Sequence, residues 1–296
     1  MSIERAPKSI QYLASLPLTI LLNGILIIPF IIMIYLAFIK WSPLSNVNWW
    51  QAPLAGISNF QEALEDQRFI ASLGRTALFA AIVVSIEFML GLFLAYAMLR
   101  EFPGKRIITA LFIYPLMLPP VVVATIFYLF FQPYGPVNNI FLRLLIGDKA
   151  LSIYWYLDPN LAFLTIILAD IWQWTPFMFL ILYSGLSAIP KRIIEAAEIL
   201  GASSWTIFWR IRIPLIKPII VVAIALRALE AFKVFDYPYV MTGGGPGTFT
   251  ETVSLYIYRL SIQYSDISYA AAVSLIVLAL IATAAYTFLR YAIRER

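Results

Sequence analysis

Residues Leu161–Ser187 (LAFLTIILADIWQWTPFMFLILYSGLS) and the stretch behind them, Ala188–Lys217 (AIPKRIIEAAEILGASSWTIFWRIRIPLIK), decide the fold. The first is apolar for longer than the roughly 20 residues that carry a helix across a bilayer. The second is helical in pattern but holds Lys191, Arg192, Arg210, Arg212 and Lys217, so it belongs outside the hydrocarbon. Five other stretches repeat the apolar half: Pro17–Ile39, Thr76–Leu99, Ile107–Phe131, Pro218–Val240 and Ser268–Arg290. The expectation is an all-α, polytopic transmembrane protein with six spans, organised as a single transmembrane domain over residues 1–296.

Composition agrees. Of 296 residues, 62% are hydrophobic and 12% charged, against about a quarter charged in soluble domains. The mean hydropathy is +0.85, a level soluble chains do not reach because they must cover their own surface with polar groups. Soluble enzymes, nucleic-acid-binding domains and disordered chains are therefore excluded, and the net charge of +5 reads as topology. Cysteine and histidine are both absent. That removes disulfides, thiolate metal sites, cysteine nucleophiles and histidine acid–base relays. The chain also has no G-x-x-x-x-G-K-[ST] phosphate loop and no G-x-S-x-G elbow.

The basic residues orient the spans. Arg5 and Lys8, then Arg100, Lys105 and Arg106, then the five of the 187–217 loop, then Arg290, Arg294 and Arg296 lie on one side. Lys40, Arg68, Arg75, Arg143, Lys149 and Arg259 lie on the other, in longer connections. The excess places both termini and the 187–217 loop in the cytoplasm. The first span lacks an Ala-x-Ala cleavage signal and is too long for a leader, so it is expected to stay uncleaved. On the outside, Trp41, Trp49 and Trp50 fit an interfacial belt. Ser58 or Asn59 is expected to cap a short amphipathic helix with Phe60, Leu64 and Phe69 on one face. Thr242–Thr248, rich in glycine, reads as a flexible outer turn.

Within the 187–217 loop, Pro190 suits a helix start. Glu195, Ala196 and Ala197 are strong helix formers, and Gly201 bends or breaks the helix. Ser203 or Ser204 restarts it, and Pro214 and Pro218 are expected to end it. The pattern E-A-A-x-x-x-G-x9-I-x-I-P is present as Glu195-Ala196-Ala197, Gly201, Ile211, Ile213 and Pro214. This resembles the EAA loop of the permease subunits of binding-protein-dependent ABC importers, with Leu200 in place of the family's usual Asp. The resemblance extends to Asn59-Phe60, to Trp172-x-x-Thr175-Pro176-Phe177, and to Ala231-Phe232-x-x-Phe235-Asp236 followed by Thr242-Gly-Gly-Gly-Pro246. It is similar to the carbohydrate type: maltose, trehalose and glycerol-phosphate systems.

The resemblance implies a type I importer permease fold in the plasma (inner) membrane. It implies a second homologous permease, two cytoplasmic ATPase subunits and an extracytoplasmic solute-binding protein as partners, a sugar as substrate, and no nucleic acid. ATP and Mg are held by the ATPase partners, with no cofactor on this chain. Glu195, Ala196, Ala197, Gly201, Ile213 and Pro214 would couple to the ATPase. Counting along the matched helices gives sugar-pathway roles to Asp170, Gln173, Trp174, Phe177, Arg227, Glu230 and Ala231.

The residues themselves leave more than one reading. Glu87, Asp170, Gln173, Arg227, Glu230, Lys233 and Asp236 fall within spans, where polar groups face the protein interior or water. Arg227, Glu230, Lys233 and Asp236, spaced by three, are expected on one drifting helical stripe, either an ion-pair ladder or a cavity wall. Trp174 and Phe177 serve equally as packing or as sugar platforms. An ion-coupled secondary transporter with Glu230, Asp236 or Asp170 as proton site is the alternative function. Topology is tested by single cysteines in this cysteine-free chain. A cysteine at Ser203 should escape an impermeant thiol reagent in intact cells, while one in the Gly243–Gly247 turn should react; the opposite pattern inverts the orientation.

Overall fold

Prolines break one helix and are absorbed within others. The computed structural model describes residues 8–148 and 153–294, and Arg5, Lys149 and Arg296 of the topology count lie outside them. The described chain divides into two compact units, Met1–Asp66 with Ile257–Leu280, and Gln67–Tyr256 with Ile281–Arg296.

In the first unit, α1 (Lys8–Ala37) is long and apolar and carries Pro17 and Pro29 internally. Its middle is exposed along Ile20, Ile25, Leu26 and Ile31, as a lipid-facing helix requires. The chain then turns back: the Lys40 N–H donates to Pro53 O and the Ala55 N–H to Phe38 O. α2 (Ser58–Glu65) follows. Asn59 does not cap it as expected. Its amide donates instead to Ala37 O and Ile39 O, each at 2.9 Å, and so holds the carbonyls at the end of α1. That is what the Asn59-Phe60 pair does: Asn59 closes α1, and Phe60 packs on Phe38 with ring centroids 5.1 Å apart. Leu64 is exposed, and Phe69 belongs to the next helix. The start of the last helix, α12 (Ile267–Arg294), joins this unit. Ser268 Oγ accepts the Trp41 N–H, Tyr269 OH donates to Asp66, and Ala271 and Ala272 pack on Ala37.

The second unit is built on α3 (Gln67–Ala97) and α7 (Pro159–Ser187), with α10 (Ile213–Phe232) packed on both. α7 starts cleanly because the Asp158 carboxylate accepts the N–H groups of Asn160 and Leu161 at 2.9 Å. Phe79, Val83, Ile166, Met178, Phe179 and Leu182 form the buried core between them. The third expected span is not one straight helix. α4 (Lys105–Ile113) runs on to Met117, and α5 (Pro120–Phe130) leaves at 98°. Leu118-Pro119-Pro120 causes the break, since proline removes a donor and bars the residue before it from helical geometry. The short α6 (Arg143–Ile146) precedes α7.

α1, α3, α7 and α12 are each long and apolar enough to cross a membrane, and the α4–α5 pair is a fifth candidate among the described residues. α10 is the fifth expected span. It is 20 residues long and holds Lys217, Arg227 and Glu230. It ends at Phe232 rather than running to Val240, so Arg227, Glu230, Lys233 and Asp236 do not share one continuous stripe. The chain then resumes at Asp236 in a wide turn to Thr242.

The glycine-rich turn that follows is pinned, not loose. Gly244 N–H donates to Pro238 O and Thr250 Oγ1 to Gly245 O. Glycine there supplies the positive φ of Gly243 and Gly244 rather than flexibility. Glu251, fully buried, then takes both ends of the Arg68 guanidinium at 2.8 Å, and its carbonyl accepts from Arg75. The turn is thereby tied to the start of α3.

Gly91 sits where α3 crosses α7. A Cβ there would lie 2.9 Å from Met178 Cγ and 3.0 Å from the Phe179 backbone N. Gly91→Val should lower the melting temperature of the detergent-purified protein, the overpacking costing about 1–3 kcal/mol. Gly74→Ala, on the same helix with nothing within 4 Å, is the control and should leave it nearly unchanged.

Candidate functional site

The loop after α7 folds into an exposed helical elbow. α8 (Lys191–Ile199) begins directly after Pro190, as the sequence suggests. It ends in a left-handed turn at Gly201, whose φ is +81°. The Ala202 N–H donates to Ala197 O at 3.0 Å and the Gly201 N–H to Glu198 O at 2.9 Å. This is the paired closure that satisfies a helix's last carbonyls, and it calls for glycine at the left-handed position. No atom lies within 4 Å of where a Gly201 side chain would begin. In the isolated chain the requirement is therefore backbone conformation, not space.

Of the two serines considered, Ser203 is the cap: its Oγ accepts the Thr206 N–H at 3.2 Å and starts α9 (Ser204–Ile207). Pro214 and Pro218 do not end the second arm. α9 widens through Phe208–Arg212 and passes without interruption into α10. The wide turn absorbs Pro214, whose missing N–H would otherwise leave a gap in a regular ladder. The second arm of the elbow and the next span are thus one rod.

Glu195 and Ala196 are exposed and Ala197 half-buried. Ile199 and Leu200 at the tip are 86% and 87% exposed, and Trp205 is 72% exposed. Glu195 also lines a cleft of about 430 Å³ with Tyr183, Lys191 and Arg212. Ile213 is half-buried and Pro214 exposed at the start of α10. Beside the cleft, Lys105 bonds Glu101 at 2.8 Å and holds its carboxyl below the usual range.

The second site lies inside the α3–α7–α10 packing. Arg227 is 1% exposed and donates to both Glu87 oxygens, through Nε at 2.6 Å and an η nitrogen at 2.9 Å. The same η nitrogen bonds Asp170. Glu87 and Asp170 are 0% and 2% exposed. The face of the guanidinium lies over Trp174, 4.9 Å from the ring centroid, a cation–π contact that is strongest when desolvated. Trp174 packs edge-on against Phe177 at 5.8 Å. Gln173 donates to Leu118 O at 2.7 Å and accepts from Tyr237 OH. It therefore satisfies the carbonyl freed by the α4–α5 break and ties that break to the segment after α10.

The structure brings together Asp170, Gln173, Trp174, Phe177 and Arg227. Glu230 is elsewhere: it points outward and pairs with Lys233 at 2.7 Å, both side chains substantially exposed. Ala231 is buried in the core. Glu87 was absent from the candidate pathway set although it completes the cluster. Its signal was present: it is the lone charge of an apolar segment otherwise clear of Asp, Glu, Lys and Arg from Thr76 to Leu99.

Comparison with known proteins settles the family. The model described as binding-protein-dependent transport system inner membrane component matches residues 87–295. The chain belongs to that family. This inner-membrane component is 33% identical over 289 residues, 97% of its length and 92% of the relative's, to the sulfoquinovosyl glycerol transport system permease protein SmoG of Agrobacterium fabrum. It is 34% identical to the trehalose/maltose transport system permease protein MalF of Thermococcus litoralis, covering 81% of this chain and 80% of that one. Among solved structures, a bacterial ABC transporter involved in the import of alginate superposes with a TM-score of 0.82, at 22% identity, over 96% of this chain and 95% of the other. That likeness supports the fold. Membership sets aside the ion-coupled secondary transporter, and this permease is a transport subunit, not an enzyme.

The two ion clusters of this permease differ in depth and so in cost. Removing one partner of a buried pair costs about 3–5 kcal/mol, whereas an exposed pair contributes roughly 0–1 kcal/mol. Glu87→Ala should therefore sharply reduce monodisperse protein in size-exclusion profiles, and Glu230→Ala should leave it near wild type. Equal yields for the two variants would contradict a structural triad.

Proposed function

We propose that this permease is the sugar-conducting membrane subunit of an ATP-driven importer, worked by a partner ATPase through the α8–α9 elbow. Its relatives support the substrate class: their names specify sulfoquinovosyl glycerol, trehalose and maltose. The basic residues on its flanks put the elbow on the cytoplasmic side of the inner membrane. Two cytoplasmic ATPases, holding ATP and Mg between them, meet this elbow and that of a second homologous permease. An external binding protein delivers the sugar.

The observation that carries the coupling is the unbroken passage from the elbow into α10. A push on Ile199, Leu200 and Trp205 displaces α9, and with it the rod that carries Arg227. Arg227 is bonded to α3 and α7, so the displacement reaches the helices bearing Asp170, Gln173, Trp174 and Phe177. On this reading Glu195 offers a carboxylate to a donor on the ATPase, and Ala196 and Ala197 keep that helix face small. Ile213 and Pro214 sit where the elbow becomes the span. In the pathway, Trp174 and Phe177, both half-buried, suit the C–H faces of sugar rings, while Asp170 and Gln173, already bonded within the protein, hold the helices that present them.

Gly201→Val places a β-branched residue at φ +81°, where an L-residue costs about 1–2 kcal/mol. The helix would extend rather than turn. Gly201→Val and Glu195→Lys should each abolish substrate-stimulated ATP hydrolysis and uptake in reconstituted vesicles and weaken pull-down of the ATPase. Neither should disturb pairing with the second permease. Normal coupled uptake by both variants would refute the elbow as the transmission element.

A further inference from the structure

A groove of about 540 Å³ runs along α4, with Tyr183 of α7 on its other wall. Glu101, Lys105 and Arg106 line one end, and Ala110 and Ile113, farther along the helix, line the other. From Lys105 to Ile113 the helix rises about 12 Å, close to the roughly 15 Å depth of one leaflet's hydrocarbon. The charged end lies on the elbow's side of the membrane, because Arg100, Lys105 and Arg106 belong to the same basic excess. Beside the groove, Ile107, Ile108 and Leu111 of α4 are exposed, an apolar surface of the kind that lipid tails cover. The groove's own lining carries two cations and one carboxylate. Lys105 is 15% exposed, bonds Glu101 at 2.8 Å, and lies over the Tyr183 ring, 5.6 Å from its centroid. Glu101 is 87% exposed, so water already competes for this pair. Arg106 is exposed at the mouth and forms no ion pair among the described residues.

We propose that this groove seats an anionic phospholipid of the elbow-side leaflet, its phosphate on Arg106 and Lys105 and an acyl chain against Ala110 and Ile113. The two ends of the groove select the two ends of the lipid. A phosphate without a tail would leave the apolar end bare. A zwitterionic headgroup would set its own cation against Lys105, Arg106 and the neighbouring Lys191. Each basic residue near an anionic leaflet strengthens binding on the order of fivefold. The exchange at Lys105 reaches the elbow. Glu101 also lines the cleft that holds Lys191, Glu195 and Arg212, and the Lys191 charge already acts on it. In that cleft Arg212 Nε is buried without an acceptor. A phosphate that takes Lys105 releases the Glu101 carboxylate to these cations. The lipid site stands on the groove alone; its link to the elbow rests on the coupling reading above.

The test titrates phosphatidylglycerol or phosphatidylcholine onto the complete detergent-purified importer and counts bound lipid by native mass spectrometry. Wild type should hold phosphatidylglycerol at least about fivefold more tightly. Arg106→Ala and Lys105→Ala should each weaken that binding by about fivefold. Glu101→Gln, which removes the competitor for Lys105, should strengthen it, and Arg100→Ala, outside the groove, should leave it unchanged. Equal retention of the two lipids overturns the proposal. So does an equal loss in Arg100→Ala, which would reduce the effect to general attraction by a basic surface. Displacement of the lipid by an equal concentration of glycerol phosphate would make a free phosphate the occupant. Loss of a partner subunit rather than of lipid from the Arg106→Ala complex would make the groove a subunit interface. In vesicles, ATP hydrolysis that responds to phosphatidylglycerol in wild type and not in Arg106→Ala supports the link to the elbow. Hydrolysis indifferent to lipid, with the binding pattern intact, overturns that link alone. Absence of substrate-stimulated hydrolysis in every lipid would instead refute the coupling reading itself.

Discussion

Everything in the second unit hangs on one guanidinium. Arg227 is the only buried cation of the α3–α7–α10 packing among the described residues, and it meets a carboxylate from each of the other two helices. In lipid, helices do not attract one another through the hydrophobic effect, because the surrounding tails are as apolar as leucine. Close packing and internal polar bonds must join them. Gly91 supplies the first by letting α3 approach α7. Arg227 supplies the second, and removing either of its partners leaves a desolvated charge unmatched. The arrangement is costly to assemble and costlier to break, so it specifies which helix faces meet.

The apolar spans, the basic loop and its Glu195-Ala196-Ala197…Gly201 pattern were legible because each rests on a local signal. Apolar length, charge bias and turn residues are all read within a few positions. What was not legible depends on partners far apart in the chain. Asn59 has the composition of a cap, yet its amide is used 20 and 22 residues away on the end of α1. Glu87 and Arg227 are 140 residues apart, and no spacing rule connects them. Helix ends were misplaced where proline acts. Leu118-Pro119-Pro120 breaks the third span, whereas Pro214 and Pro218 are absorbed, the first by a wide turn and the second near the start of α10. Proline removes one donor in every case. At Leu118 the change of direction also leaves that residue's own carbonyl without a helical partner, and Gln173 takes it.

The elbow and the triad use rigidity differently. At the elbow, Gly201 and Ser203 fix a tight turn by closing backbone groups locally, and the apolar tip is left bare. An exposed Ile199-Leu200 pair beside Trp205 is an interaction surface by its nature. At the triad the side chains are sealed and the bonds cross between helices. The first feature suits a part that another protein must grip. The second suits a part that must not come apart when gripped.

The continuity of α9 with α10 links these two demands. Had Pro214 ended the helix, the elbow would be a hinged flap, and a push on it would be spent in the hinge. Because the wide turn at Phe208–Arg212 keeps the backbone helical past Pro214, displacement of the tip is displacement of the rod. The rod cannot slide past α3 and α7 without opening bonds that lipid will not replace. The lower-cost response is for the three helices to move as bonded, with strain shifting to places that already lack regular bonding. Two such places touch the network: the α4–α5 break, held through Gln173 to Leu118, and the interruption after Phe232, held through Tyr237 to Gln173. Both interrupt the regular backbone ladder beside the bonded core, and on the coupling reading that is where a motion begun at the elbow would be taken up.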